Sequence, residues 1–192
     1  MIKIIKQALT EYDPSIYEWD DPVIRNFNGK KVVGRPTKAY GTKCFEYAGK
    51  TYKPEPWTLS MEILKQAAEF IVFKQLDQVI KFNFCLCGLY KDGSVSIPHH
   101  SDTVPTKKDL VLGVSYGASR YMEWNQYRYD IKEHTNTSEV NINEEWSLQK
   151  TYLLNDGDVY IFDGESQMSS THAILPSQEA GERINLTFRT GI

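Results

Sequence analysis

The chain has little cysteine and little histidine. Its 192 residues include only 3 Cys and 4 His. Cys44, Cys85 and Cys87 show no metal-finger spacing, which excludes a zinc-finger module. Cys85 and Cys87 alternate on a predicted strand and read as small buried hydrophobes, in keeping with a reducing compartment. No apolar run reaches the roughly 18 residues of a membrane-spanning helix, so no membrane role is expected. The opening residues 1–9 read as too short and too polar for a signal peptide, and the expected location is intracellular, cytoplasmic or nuclear. A net charge of −3 argues against wholesale coating of nucleic acid but leaves room for a local basic patch. There is no internal repeat and no low-complexity tract.

What is present suits one domain with a sizeable core: 41% hydrophobic and 24% charged residues. Residues 1–9 read as a short helix, and Asp13-Pro14 and Asp20-Asp21-Pro22 mark turns. Residues 29–53 read as two or three short β pieces, with turns at Gly34, Gly41 and Gly49. Ile63, Leu64, Ala67, Phe70, Ile71, Leu76 and Val79 have helical spacing and predict a long helix over about 59–80. Strands are expected over 82–90, 110–116, 120–124, 152–154, 159–162 and 184–190, with 97–102 extended and 127–131 a possible continuation of the sheet. Residues 132–150 are polar and read as a surface insertion. Many short strands after one long helix give an α+β, mainly β chain with a jelly-roll core, whose mouth commonly holds a site.

Two patterns carry chemistry. In the last strand Arg183, Asn185, Thr187 and Arg189 occupy every second position, with apolar Ile184, Leu186 and Phe188 between them. A side-chain period of two puts the polar four on one face. A solvent-facing strand with ordinary charges is the plain alternative. No carboxylate lies among the four, however, and a small diacid across that face would satisfy both guanidiniums. Upstream, His100 and Asp102 flank Ser101 in an extended segment and so point the same way. His172 precedes the arginine strand; alone it would read as a structural histidine. Two His and one carboxylate with open positions form the facial triad of non-haem Fe(II) oxygenases. His99 does not satisfy the one-residue spacing, and His134 lies in the polar insertion.

A basic stretch holds Lys30, Lys31, Arg35, Lys38, Lys43, Lys50 and Lys53 against Glu46 alone, with Tyr40, Phe45, Tyr47, Tyr52 and Trp57 in or after it. It fits either a solvated hairpin whose rings pack on the core or a nucleic-acid surface of phosphate contacts and stacking rings.

Several segments together resemble the AlkB family of Fe(II)/2-oxoglutarate dioxygenases, most closely the animal DNA-repair members. They are Gly34-Arg35-Pro36-Thr37-Lys38-Ala39-Tyr40-Gly41, Lys53-Pro54-Glu55-Pro56-Trp57, Phe82-Asn83-Phe84, Tyr90-Lys91-Asp92-Gly93, His100-Ser101-Asp102, Ser115-Tyr116-Gly117-Ala118, Leu154-Asn155-Asp156-Gly157-Asp158, His172 and the strand from Arg183 to Arg189. The likeness covers 27–190 apart from the insertion. It implies a single catalytic domain over 1–192: a nucleotide-recognition lid at about 27–57, then a double-stranded β-helix core with its long supporting helix over 58–192. It also implies Fe(II) held by His100, Asp102 and His172, with O2 as oxidant. The co-substrate 2-oxoglutarate would be bound by Arg183 and Tyr90, with Asn185, Thr187 and Arg189 completing its pocket. The implied partner is DNA or RNA with a flipped base, met by Arg35, Phe45 and Tyr47, and the implied reaction is oxidative demethylation of N-alkylated bases by a monomeric enzyme. The readings beside it are a base-modifying or protein hydroxylase of the same chemistry, and a non-catalytic nucleic-acid-binding jelly roll. Two positions depart from the family's pattern: Thr103-Val104 follow the metal motif where acids are common, and Gly88 stands where an Asn usually contacts 2-oxoglutarate. Tyr116, Arg120 and Trp124 are expected either near the mouth, reshaping a base slot, or in the core.

Overall fold

The computed structural model describes residues 2–16, 18–22, 24–27, 30–47, 50–102, 106, 108–127 and 147–190, with the backbone alone described at 25–27, 30–32, 47 and 50. The insertion up to residue 146, His134 and Thr103-Val104 lie outside the described residues. Strands β1 (Ile2–Ile5), β2 (Ile24–Phe27), β3 (Lys30–Val33), β4 (Thr37–Gly41), β5 (Phe45–Tyr47) and β6 (Lys50–Tyr52) precede helix α1 (Leu59–Leu76). Then come β7 (Phe84–Tyr90), β8 (Ile97–His100), β9 (Leu110–Gly117), β10 (Arg120–Gln126), β11 (Leu148–Leu154), β12 (Asp158–Asp163), α2 (Gly164–Ser169), β13 (Ser170–Ile174) and β14 (Arg183–Arg189).

Two antiparallel sheets face each other as in a jelly roll. The larger runs β1-β12-β9-β14-β7-β4 and the smaller β11-β10-β13-β8. Period-two alternation divides the larger sheet between two cores. Cys85, Cys87, Leu112, Val114, Leu186 and Phe188 point to α1 and bury Met61, Leu64, Ala68 and Val72. From the other face Tyr90, Val111, Tyr160 and Phe162 meet Met122, Trp124 and Ile174 of the smaller sheet. The helix thus braces the back of the larger sheet and leaves its front free for chemistry. No helix among the described residues is long and apolar enough to cross a membrane.

The structure differs from the sequence reading at four places. Residues 148–150, read as the end of the polar insertion, already belong to β11, with Leu148 opposite Gln126 and Lys150 opposite Trp124 of β10. Residues 2–5 form a strand, not a helix: β1 pairs along β12 from Ile2 opposite Phe162 to Ile5 opposite Val159. Its side chains split by a period of two, Ile5 onto the α1 core and Ile2 and Ile4 onto the other. The pairing partner lies more than 150 residues away, beyond the reach of local propensity. Helix α1 ends at Leu76 because Asp77 takes the left-handed conformation, φ 54°, and closes the last turn with its N–H on the Phe73 carbonyl at 2.9 Å. The apolar residues Val79 and Ile80 therefore lie beyond the helix. Finally, β4 is an edge strand of the main sheet, paired with β7, and only β2–β3 and β5–β6 are separate hairpins.

Candidate metal and co-substrate site

The front of the larger sheet carries the polar face of β14. Arg183, Asn185, Thr187 and Arg189 are all buried there. Arg183 sits opposite Tyr90 on β7 and Gly117 on β9, Asn185 opposite Gly88 and Ser115. The Arg183 Nε donates to Ser115 Oγ at 2.8 Å and its Nη2 to Asn185 Oδ1 at 2.9 Å. That oxygen also accepts from Tyr160 Oη at 3.0 Å, and the Asn185 amide donates to Thr187 Oγ1 at 3.0 Å. The fork of Arg183 is thereby held on two sides over the Tyr90 ring, 4.8 Å from its centroid. Its Nη1 is buried with no hydrogen-bond acceptor among the described residues.

The second sheet supplies three ligating side chains. His172 on β13 stands directly opposite His100 on β8, and the ring centroids are 4.3 Å apart. Asp102, just past β8, brings Oδ1 to 3.8 Å from His100 Nε2 and Oδ2 to 3.8 Å from His172 Nε2. One donor atom from each of the three lies within 4.8 Å of the others, and all three residues are buried. The loop is fixed by Ser101 Oγ on the Ser170 carbonyl at 2.5 Å and by the Asp102 N–H on Gln167 Oε1 at 2.8 Å. His172 is wedged between Phe162, at 4.9 Å, and Trp124, which stacks on it at 6.3 Å.

The electrostatics favour a metal. Burial pushes both imidazoles toward the neutral, ligating form: His100 is lowered, and His172 is lowered to about 3, each helped by neighbouring cations. Burial alone would raise Asp102, but the Arg189 guanidinium bonded to it outweighs burial and holds the carboxylate ionised. His100 Nδ1 faces the Pro98 carbonyl at 2.9 Å, which leaves Nε2 for a metal. Two neutral imidazoles and one ionised carboxylate converging on one point fit a ferrous ion, and the unpartnered Nη1 of Arg183 on the same strand face as Asn185 and Thr187 fits a carboxylate of a keto diacid. Leu86, Ile97 and Ile174 provide apolar walls between them.

The model of the 2OG-Fe(II) oxygenase superfamily matches residues 2–189. An uncharacterized protein of Acanthamoeba polyphaga mimivirus is 31% identical over 169 residues, 85% of this chain and 76% of that one. The alpha-ketoglutarate-dependent dioxygenase alkB homolog 3 of Homo sapiens is 28% identical over 162 residues, 81% of this chain and 51% of that one. The chain belongs to the 2OG-Fe(II) oxygenase superfamily. Fe(II), 2-oxoglutarate and O2 are accordingly its metal, co-substrate and oxidant. This oxygenase chain spans about half the length of the alkB homolog 3 proteins it matches. The solved structure of OsALKBH1 matches with a TM-score of 0.55 at 16% identity, over 98% of this chain and 97% of that one, which is a likeness of fold.

The oxygenase's fold brings together the triad and the β14 face, as the spacing suggested. It gives Arg189 a partner that spacing did not: its Nη2 donates to Asp102 Oδ1 at 2.7 Å. Arg189 thus serves a metal ligand as well as the pocket, and a diacid is not needed to satisfy both guanidiniums. Arg35 lines the same pocket. Phe45 is buried against Phe84 and lies under Arg189, 5.4 Å from its guanidinium. The side chain of Tyr47 lies outside the described residues. Of the basic, aromatic stretch, Tyr40 and Tyr52 are buried, and Lys38 is buried and paired with Glu55. Arg120 is wholly buried and donates to the carbonyls of Asp92, Gly93, Val95 and Leu175, which is a core role. Tyr116 lies in the α1 core, away from the pocket.

Sequence reasoning missed Tyr160, Ser115 and Gln167. Tyr160 had a signal in Gly113, a glycine inside a strand, which often marks a close approach. A Cβ at Gly113 would lie 1.8 Å from Tyr160 Cζ, so the missing side chain is what admits that ring to the pocket. Burial pushes the Tyr160 hydroxyl up to about 12, and it stays a neutral donor to Asn185.

Proposed function

We propose that this oxygenase acts on a nucleobase of DNA or RNA, most simply by oxidative demethylation of an N-alkylated base. The observation that carries the reading is the position of β5–β6. This hairpin adjoins the metal end of the pocket, with Phe45 packed under Arg189, which in turn holds Asp102. A base entering at this hairpin would present its N-alkyl group to the triad, after leaving its stack.

When bound, iron, O2 and 2-oxoglutarate supply the oxidation of a substrate C–H bond, with succinate and CO2 as co-products. The chain's own residues prepare that chemistry. His100, Asp102 and His172 would hold the metal. Arg189 keeps Asp102 charged and aimed. Arg183, oriented by Ser115 and Asn185, would clamp a carboxylate of the co-substrate through its remaining N–H. Leu86, Ile97 and Ile174 add apolar lining to the pocket, which would limit water beside the reacting atoms.

A second reading, hydroxylation of a base or a protein side chain without dealkylation, draws on the burial of Tyr40, Phe45 and Tyr52, which removes three rings from any stacking surface. One experiment separates the two. Succinate release and product mass are measured over a panel of N-methylated DNA and RNA oligomers. A loss of one methyl on some oligomer is expected; succinate formed only without any change in oligomer mass would reject nucleobase demethylation.

A further inference from the structure

Gly88 lies on the pocket face of β7, two residues before Tyr90 and opposite Asn185. A Cβ placed there would meet Arg35 Nε at 2.2 Å, Cδ at 3.0 Å and Cζ at 3.1 Å. The arginine therefore occupies the space that any side chain at position 88 would fill. Its backbone is anchored at that spot: the Leu89 N–H donates to the Pro36 carbonyl at 3.0 Å, and Thr37 is paired with Gly88. The guanidinium lies over the Tyr90 ring, 5.1 Å from its centroid, while that of Arg183 lies 4.8 Å from the same centroid. Arg35 thus shares a ring platform with the arginine that grips the diacid, and it lines the same pocket as the triad.

We propose that Arg35, reaching across the backbone of Gly88, is a co-substrate-binding residue that places a further guanidinium on the keto diacid. Glycine at 88 and arginine at 35 act as one unit: the first leaves the gap and the second fills it with charge. An uncharged amide at 88 would offer the diacid a neutral hydrogen bond, whereas the guanidinium offers charge-assisted ones. The inference rests on 2-oxoglutarate as co-substrate and not on the identity of the oxidised substrate.

The test is calorimetric titration of 2-oxoglutarate into the full chain loaded with Mn(II), with no nucleic acid present. Arg35→Ala is expected to raise Kd about ten-fold or more, with Arg35→Lys between it and the parent. Gly88→Ala, which keeps the arginine but drives it out of the gap, is expected to raise Kd as well. These two also carry the test should Arg35→Ala fail to fold. A parental Kd in Arg35→Ala, or in Gly88→Ala with a parental melting temperature, overturns the proposal. Because no oligomer is present, failure of the nucleobase reading leaves this result untouched, and an Arg35 that served only the base would show weaker oligomer binding with an unchanged Kd for 2-oxoglutarate.

Discussion

Arg189 donates to Asp102 at 2.7 Å, joining the last strand of one sheet to the metal loop of the other. Both side chains are buried, so the pair works in a medium where charge is poorly screened. The strand whose polar face lines the pocket therefore also aims a carboxylate of the triad.

Replacing Arg189 by Ala should accordingly damage metal binding. Loss of an outer partner to a ligand typically costs about 10- to 100-fold in metal affinity. Mn(II) titration of Arg189→Ala should show a loss in that range, with Arg189→Lys in between. An unchanged Mn(II) affinity would mean that Asp102 is held well enough by Gln167 and its own loop.

Arg183→Ala should act differently. It removes a charge-assisted contact worth about 1.5–3 kcal/mol, so the KM for 2-oxoglutarate should rise by roughly 10- to 150-fold. Mn(II) affinity without co-substrate should change little, since Arg183 bonds to Ser115 and Asn185 rather than to a ligand. Initial-rate assays of succinate release decide this, and a parental KM would remove Arg183 from the role.

Stability of the metal-free protein should fall as pH drops below about 6.5. His100 and His172 have lowered folded pKa values, so the unfolded chain binds protons first. Their contribution is complete above the unfolded value and is lost as pH falls toward the folded one, at up to about 1.4 kcal/mol per pH unit for each imidazole. Urea unfolding between pH 7 and 5 should show this slope, and His172→Gln should flatten it. A pH-independent midpoint in the parent would contradict it.

Gly113→Ala should destabilise the fold by about 1–3 kcal/mol, because the new methyl overlaps the Tyr160 ring. With Tyr160→Ala already present the same change should be nearly free. A double-mutant cycle by urea unfolding measures the difference, and additive effects would show that the ring does not depend on the glycine.

Local pattern reached far in this chain. The β14 alternation showed both its polar pocket face and its apolar helix face, because a strand's two-residue period is intrinsic to the backbone. His100 and Asp102 were legible for the same reason. Helix α1 was legible from its spacing, but its end was not, since Asp77 stops it within an apolar pattern that runs on. Residues 2–5 were misread because their strand exists only along β12. The aromatic stretch at 40–52 carried no sign of which rings turn inward, and Tyr40, Phe45 and Tyr52 all do.

By itself the sequence determined the chemistry-bearing faces, since those depend on spacing of a few residues along one strand. Tertiary structure alone decided which faces meet. His172 finds His100 across β13 and β8, Arg189 finds Asp102 across the two sheets, and Arg35 finds the gap at Gly88. Each of these joins residues 53 or more positions apart in the chain: strand pairing within one sheet brings together His172 with His100 and Arg35 with Gly88, and the packing of the two sheets brings Arg189 to Asp102.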